Sequence, residues 1–95
     1  MTAIAREVTN LDHGIVVFNS SVTTNRAKKI ASDSIKNIKI FQIPASLGIT
    51  GCSYALRCEY KDLTKLRGIA DEYKLKIKAV FIETINDGEK VYKKL

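Results

Sequence analysis

The chain of 95 residues carries two thiols, Cys52 and Cys58, and one imidazole, His13. Cys52 closes the glycine-bearing stretch 45–52 and opens a run of strand character, so loop N–H groups can point toward its sulfur. Such dipoles and nearby positive charge favour thiolate over thiol, and thiolate is the form that attacks sulfur or selenium electrophiles. Arg57 is the nearest basic residue in sequence. On residue type alone Cys52 also reads as a small side chain packed at a strand edge. Cys58 falls in phase with Tyr54 and Leu56 and is assigned to the core. The six-residue span between the two thiols covers about 20 Å of extended chain, beyond what a disulfide allows.

The other reactive groups have structural explanations. His13 stands beside Asp12 before the first apolar run and reads as a solvated turn residue. The hydroxyls of Ser20, Ser21, Thr23 and Thr24 sit where a helix starts; they could meet a phosphate or carboxylate there, but capping accounts for them without a ligand. Gly48 and Gly51 are not followed by the Lys-Ser/Thr pair of a phosphate loop. Tyr54, Tyr60, Tyr73 and Tyr92 do not form the paired strand aromatics that stack RNA bases. Two cysteines and one histidine cannot build a four-thiolate zinc site, so neither metal nor cofactor is expected. No nucleophile, base and orienting group occur at workable spacing, which argues against an enzyme with turnover of its own.

The elements that must position these groups follow from periodicity. The apolar, β-branched run 14–18 predicts a buried first strand. Ser20 or Ser21 then caps a helix over 22–34, with Val22, Arg26, Ala27, Ile30, Ala31 and Ser34 at helical spacing. A second strand over 38–43 ends at Pro44, which cannot donate to a ladder. A third, over 53–59, alternates Tyr54, Leu56 and Cys58 with Ala55, Arg57 and Glu59, giving one buried and one more open face.

Asp62 is placed as cap of a second helix whose stripe is Leu63, Leu66, Ile69, Ala70 and Tyr73. Gly68 lies inside that helix and is tolerable where the backbone packs closely. A fourth strand, 76–83, carries Ile77, Ala79 and Phe81 on one side. After the turn at Asn86, Asp87 and Gly88 comes a tail that is either helical or extended.

This order, βαββαβ, predicts an α+β ferredoxin-like sandwich: a four-stranded antiparallel sheet with two helices on one face, in a single domain over 1–95 with its core at 14–83 and a tail at 84–95. The sheet's second face is then open, with Phe41, Ile43, Val80 and Ile82 as candidates to line it, and would serve a homodimer or a docking partner. The copper-chaperone motif Met-x-Cys-x-x-Cys, found on that fold, is absent.

Composition sets the class. Hydrophobic residues at 45% and charged residues at 27% exclude disordered and low-complexity chains. A net charge of +6 raises nucleic acid as a partner. The lysines are spread with acids between most of them, however, which reads as a solvated face, and nucleic acid is not the expected partner. No run suits a signal peptide or a membrane span, so the expected location is the cytosol, with both thiols reduced.

The run Ile15-Val-Val-Phe18 with its serine-bearing turn, then Ile43-Pro44, a loop, and Cys52-Ser-Tyr-Ala-Leu-Arg57, resemble the small bacterial Se/S carrier protein-like family, over about 14–82. In that family a strand ends in proline, a polar loop follows, and Cys-Gly opens a strand reading roughly Leu-Ala-Leu-Arg. Pro44, Cys52, Ala55, Leu56 and Arg57 match. This chain departs in having Ser53 after the cysteine and Gly51 before it, and in a less polar loop.

The resemblance implies a carrier whose Cys52 thiol, flanked by Gly51 and Ser53 and followed by Arg57, holds a sulfane sulfur or selenium and passes it between a donor and an acceptor protein. The alternative expectation is a non-catalytic interaction or dimerisation module in which Cys52 is incidental.

Overall fold

The computed structural model describes residues 12–49 and 54–95. Strand β1 (His13–Phe18) is buried from Gly14 onward, because its apolar run has a core on each side. Helix α1 (Ser21–Ala31) starts where Ser20 Oγ accepts a hydrogen bond from the Thr23 N–H at 3.1 Å. It stops three residues short of the expected end, and Val22, expected on the inner stripe, is exposed. Strand β2 (Lys39–Gln42) leads past Pro44 into a 3-10 turn (Ala45–Leu47) that Gly48 closes with a positive φ.

Strand β3 (Tyr54–Glu59) and a second 3-10 turn (Tyr60–Asp62) precede helix α2 (Leu63–Glu72). Asp62 makes no side-chain capping bond. The 3-10 turn supplies the entry to the helix instead, with the Leu63 N–H bonded to the Tyr60 carbonyl. Strand β4 (Ile77–Asn86) and strand β5 (Glu89–Lys94) form a hairpin. Its two turn residues, Asp87 and Gly88, have φ of 54° and 82°. Positive φ at both positions is the type I′ geometry that matches strand twist.

The five strands make one sheet in the order β2-β3-β1-β4-β5, with every neighbouring pair antiparallel. The four-stranded ferredoxin-like sandwich expected from the sequence is therefore corrected: the class is α+β, but residues 89–94 add a fifth strand on the outer side of β4. A lone six-residue segment with only Val91 and Tyr92 apolar carries little strand signal. Its pairing is supplied by the I′ turn and the long neighbouring strand.

Each sheet face has its own core. On the helix side Val16, Phe18, Leu56, Cys58, Val80 and Ile82 pack with Ala27, Ala31, Leu63, Leu66 and Ala70. On the other side Ile15, Val17, Ala55, Ala79 and Phe81 are buried, with Phe41, Ile43, Leu47, Ile49 and Tyr92 packed against them.

The open second face is thus also corrected, since the segment around the first 3-10 turn folds back over it. Val80 and Ile82, expected there, belong to the helix side. The phase changes because β4 bulges: Val17 pairs with Ala79 but Phe18 with Ile77, so Lys78 is skipped and Ile77 turns toward the helices while Ala79 and Phe81 face away. On β3, Leu56 and Cys58 are buried and Arg57 and Glu59 more open, as expected, but Ala55 of the open face is buried and Tyr54 of the buried face is exposed.

Candidate functional site

Strand register lines up three cross-strand rows on the face away from the helices. One row runs Glu59, His13, Glu83, Tyr92; the next Lys39, Arg57, Ile15, Phe81, Lys94; in the third Phe41 pairs with Ala55 and Val17 with Ala79. Polar groups fill the first row and its border, and apolar groups the rest.

Arg57 reaches diagonally across β1 to Glu83. Its Nε and Nη2 donate to Glu83 Oε1 at 3.1 and 2.7 Å. The Tyr92 hydroxyl donates to the other carboxylate oxygen at 2.8 Å. The Glu83 side chain is 3% exposed, and Arg57 is 27% exposed. Burial works to raise the Glu83 carboxyl, but the hydrogen bonds from Arg57 and Tyr92 outweigh it and hold the group below its ordinary range. Burial, and then the bond to Glu83, push the Tyr92 phenol up to about 12.

His13 is not the solvated turn residue expected: it opens β1, with Nδ1 3.2 Å from Arg57 Nη2 and 3.6 Å from Glu83 Oε1. Guanidinium can only donate, so Nδ1 is the acceptor and the ring proton belongs on Nε2. The His13–Glu83 approach becomes an ion pair only where the ring is protonated.

The edge strands also meet over this face. Phe41 and Tyr92 have ring centroids 6.1 Å apart at an interplanar angle of 50°. Strands β2 and β5 are four spacings apart, roughly 19 Å on a flat sheet, so the sheet must curl to bring these side chains together.

The helix side carries different chemistry. Cys58 is 0% exposed and lies among Val16, Leu56 and Leu63. Burial first, then the neighbouring Asp62 and Glu59 carboxylates, push its thiol up to about 12, only partly offset by a hydrogen bond from the Gly14 N–H. It is a core residue, as expected.

Further along β3, Tyr54 faces a half-open cavity of about 340 Å³ lined also by Ser21, Thr24, Asn25 and Ile40. Ser20 caps the helix as expected and its hydroxyl also meets that of Thr23, while the Thr24 hydroxyl donates to the Ser20 carbonyl.

Of the sequence-derived site, Gly51, Cys52 and Ser53 lie outside the described residues. Arg57 is described, and its guanidinium is committed to Glu83 and His13 on the face opposite Tyr54. The structure therefore gathers a cluster of His13, Arg57, Glu83 and Tyr92 that the sequence did not suggest. One signal was present: Glu83 follows Phe81 at strand spacing, a lone acid on an apolar side. Among the described residues no group of three or more His, Cys, Asp or Glu is placed to hold a metal, and no helix is long and apolar enough to cross a membrane.

The family model described as Putative Se/S carrier protein-like matches residues 13–82, from the first residue of β1 into β4. The chain belongs to this family. No curated protein and no solved structure matches it.

Proposed function

We propose that the protein carries sulfane sulfur or selenium on Cys52 and has no turnover of its own. The observation that carries this reading is the state of the other thiol. Cys58 is sealed in the core with its thiol at about 12, so Cys52 is left as the group for thiol chemistry in a chain that belongs to a carrier-type family.

In the loading step the Cys52 thiolate attacks the outer sulfur of a donor's persulfide. A bond forms between that sulfur and Cys52, the donor's own S–S bond breaks, and the donor leaves as a thiolate. Delivery runs in the same sense, with an acceptor nucleophile taking the outer atom and Cys52 leaving as thiolate. No external oxidant or reductant is consumed. Selenium follows the same course through a selenosulfide.

Gly51 and Ser53 flank the carrying thiol. Arg57 acts as a positioning residue, anchoring β3, the strand that follows Cys52, to β4 through Glu83. The alkylation rate of the intact chain against pH tests the reading, because Cys58 is silent in the folded state. A midpoint well below the ordinary thiol value of about 8.5 supports it, and a midpoint at or above that value counts against it.

A further inference from the structure

The outer edge of β5 has features of a docking strand, and they do not depend on Cys52. This strand lies beyond the residues that the family model matches. The Leu95 N–H bonds to the Val80 carbonyl at 2.9 Å, which makes 80 and 95 a hydrogen-bonded pair. In an antiparallel ladder such pairs alternate. The pairs Ile82–Lys93, Thr84–Val91 and Asn86–Glu89 are then the bonded ones, and Lys90, Tyr92 and Lys94 turn their N–H and C=O groups outward. Among the described residues no strand pairs with that edge.

Side chains give the edge a chemical preference. Lys90 and Lys94 flank Tyr92 on one face, while Val91 (43% exposed) and Lys93 occupy the other. Glu89, at the hairpin tip, is the only acid on the strand. Glu83 beneath it has its carboxylate taken by Arg57 and Tyr92. Pairing with a second copy is disfavoured. In the antiparallel register centred on Tyr92, Lys90 of one chain would face Lys94 of the other, and like charges directly opposite destabilise a sheet.

We infer that β5 accepts, as a sixth strand, an extended segment of another protein in which acidic and apolar residues alternate. The outward backbone groups would supply the ladder bonds, the acids would meet Lys90 and Lys94, and the apolar positions would meet Val91.

The test titrates the isotope-labelled intact chain with a synthetic heptapeptide of alternating Glu and Val and follows the backbone amides by NMR. The inference expects shifts concentrated at residues 90, 92 and 94, an affinity that falls with added salt, and weakening of about tenfold or more in Lys90→Glu/Lys94→Glu. Both positions are exposed, and unchanged amides elsewhere verify that the variant folds.

Absence of shifts, shifts spread over other surfaces, or an equal response to a Lys-Val peptide overturns it. So does the same shift pattern at lower concentration with a single-stranded oligonucleotide, or a dimer formed through β5 without peptide. Sulfur loading on Cys52 is measured separately, so failure of the carrier reading leaves this result interpretable.

Discussion

Arg57 on β3 and Glu83 on β4 are joined across the intervening strand β1 by two hydrogen bonds, at 3.1 and 2.7 Å, that converge on a single carboxylate oxygen. The other oxygen is left for Tyr92 of β5. One buried carboxylate thus ties the third, fourth and fifth strands together, with His13 of the first beside it. The residue that the family resemblance marks in the strand after Cys52 is one end of this clasp.

Replacing Glu83 by Gln removes the charge that faces Arg57 and is expected to destabilise the fold by about 2 kcal/mol at neutral pH, measured by urea unfolding. The effect depends on pH in a fixed direction. Because the folded-state pKa of Glu83 lies below the ordinary 4.5, its contribution is fully present above pH 4.5 and is lost as pH falls through the folded value. The stability gap between wild type and Glu83→Gln should therefore narrow in acid. A gap that stays constant from pH 7 to pH 3 would show that the carboxylate charge contributes nothing.

Cys58 should be chemically silent until the chain unfolds. With its thiol at about 12, only about one part in ten thousand is thiolate at pH 8. A Cys52→Ser variant treated with a thiol-reactive disulfide reagent at pH 8 is expected to show no prompt reaction in buffer and one full equivalent in denaturant. Prompt reaction without denaturant would place a second accessible thiol in the folded protein.

The buried strand β1 and both helices were legible in the sequence because long apolar runs and helical stripes report burial directly, as at Ile15 to Phe18 and at Leu63, Leu66 and Ala70. The fifth strand was not, since adjacent Val91 and Tyr92 among lysines show neither period. The bulge at Lys78 was equally hidden: Ile77 stays on the helix side, but Val80 and Ile82 join it there while Ala79 and Phe81 turn to the other face. The clasp escaped because Arg57 and Glu83 are 26 positions apart and meet only through strand register. For the candidate site, the family pattern was legible in the sequence, Cys52 itself lies outside the described residues, and Arg57's attachment to Glu83 came from the fold.

Two glycines make opposite predictions. A Cβ at Gly14 would lie 2.8 Å from Leu63 Cδ1, in the core beneath β1. Gly14→Ala should therefore destabilise by about 1–3 kcal/mol through overpacking. At Gly68, inside α2, a Cβ meets nothing within 4 Å. No close packing there requires a glycine, and Gly68→Ala should stabilise by about 0.5–1 kcal/mol. Thermal unfolding of the two variants checks both signs.

The carrier reading meets its most direct test in an incubation of the protein with a cysteine desulfurase and isotope-labelled cysteine, followed by intact mass and peptide mapping. The account predicts one added labelled sulfur atom, located on Cys52, absent from Cys52→Ala and retained in Cys58→Ala. No added sulfur on the wild type, or equal addition to Cys52→Ala, would contradict it.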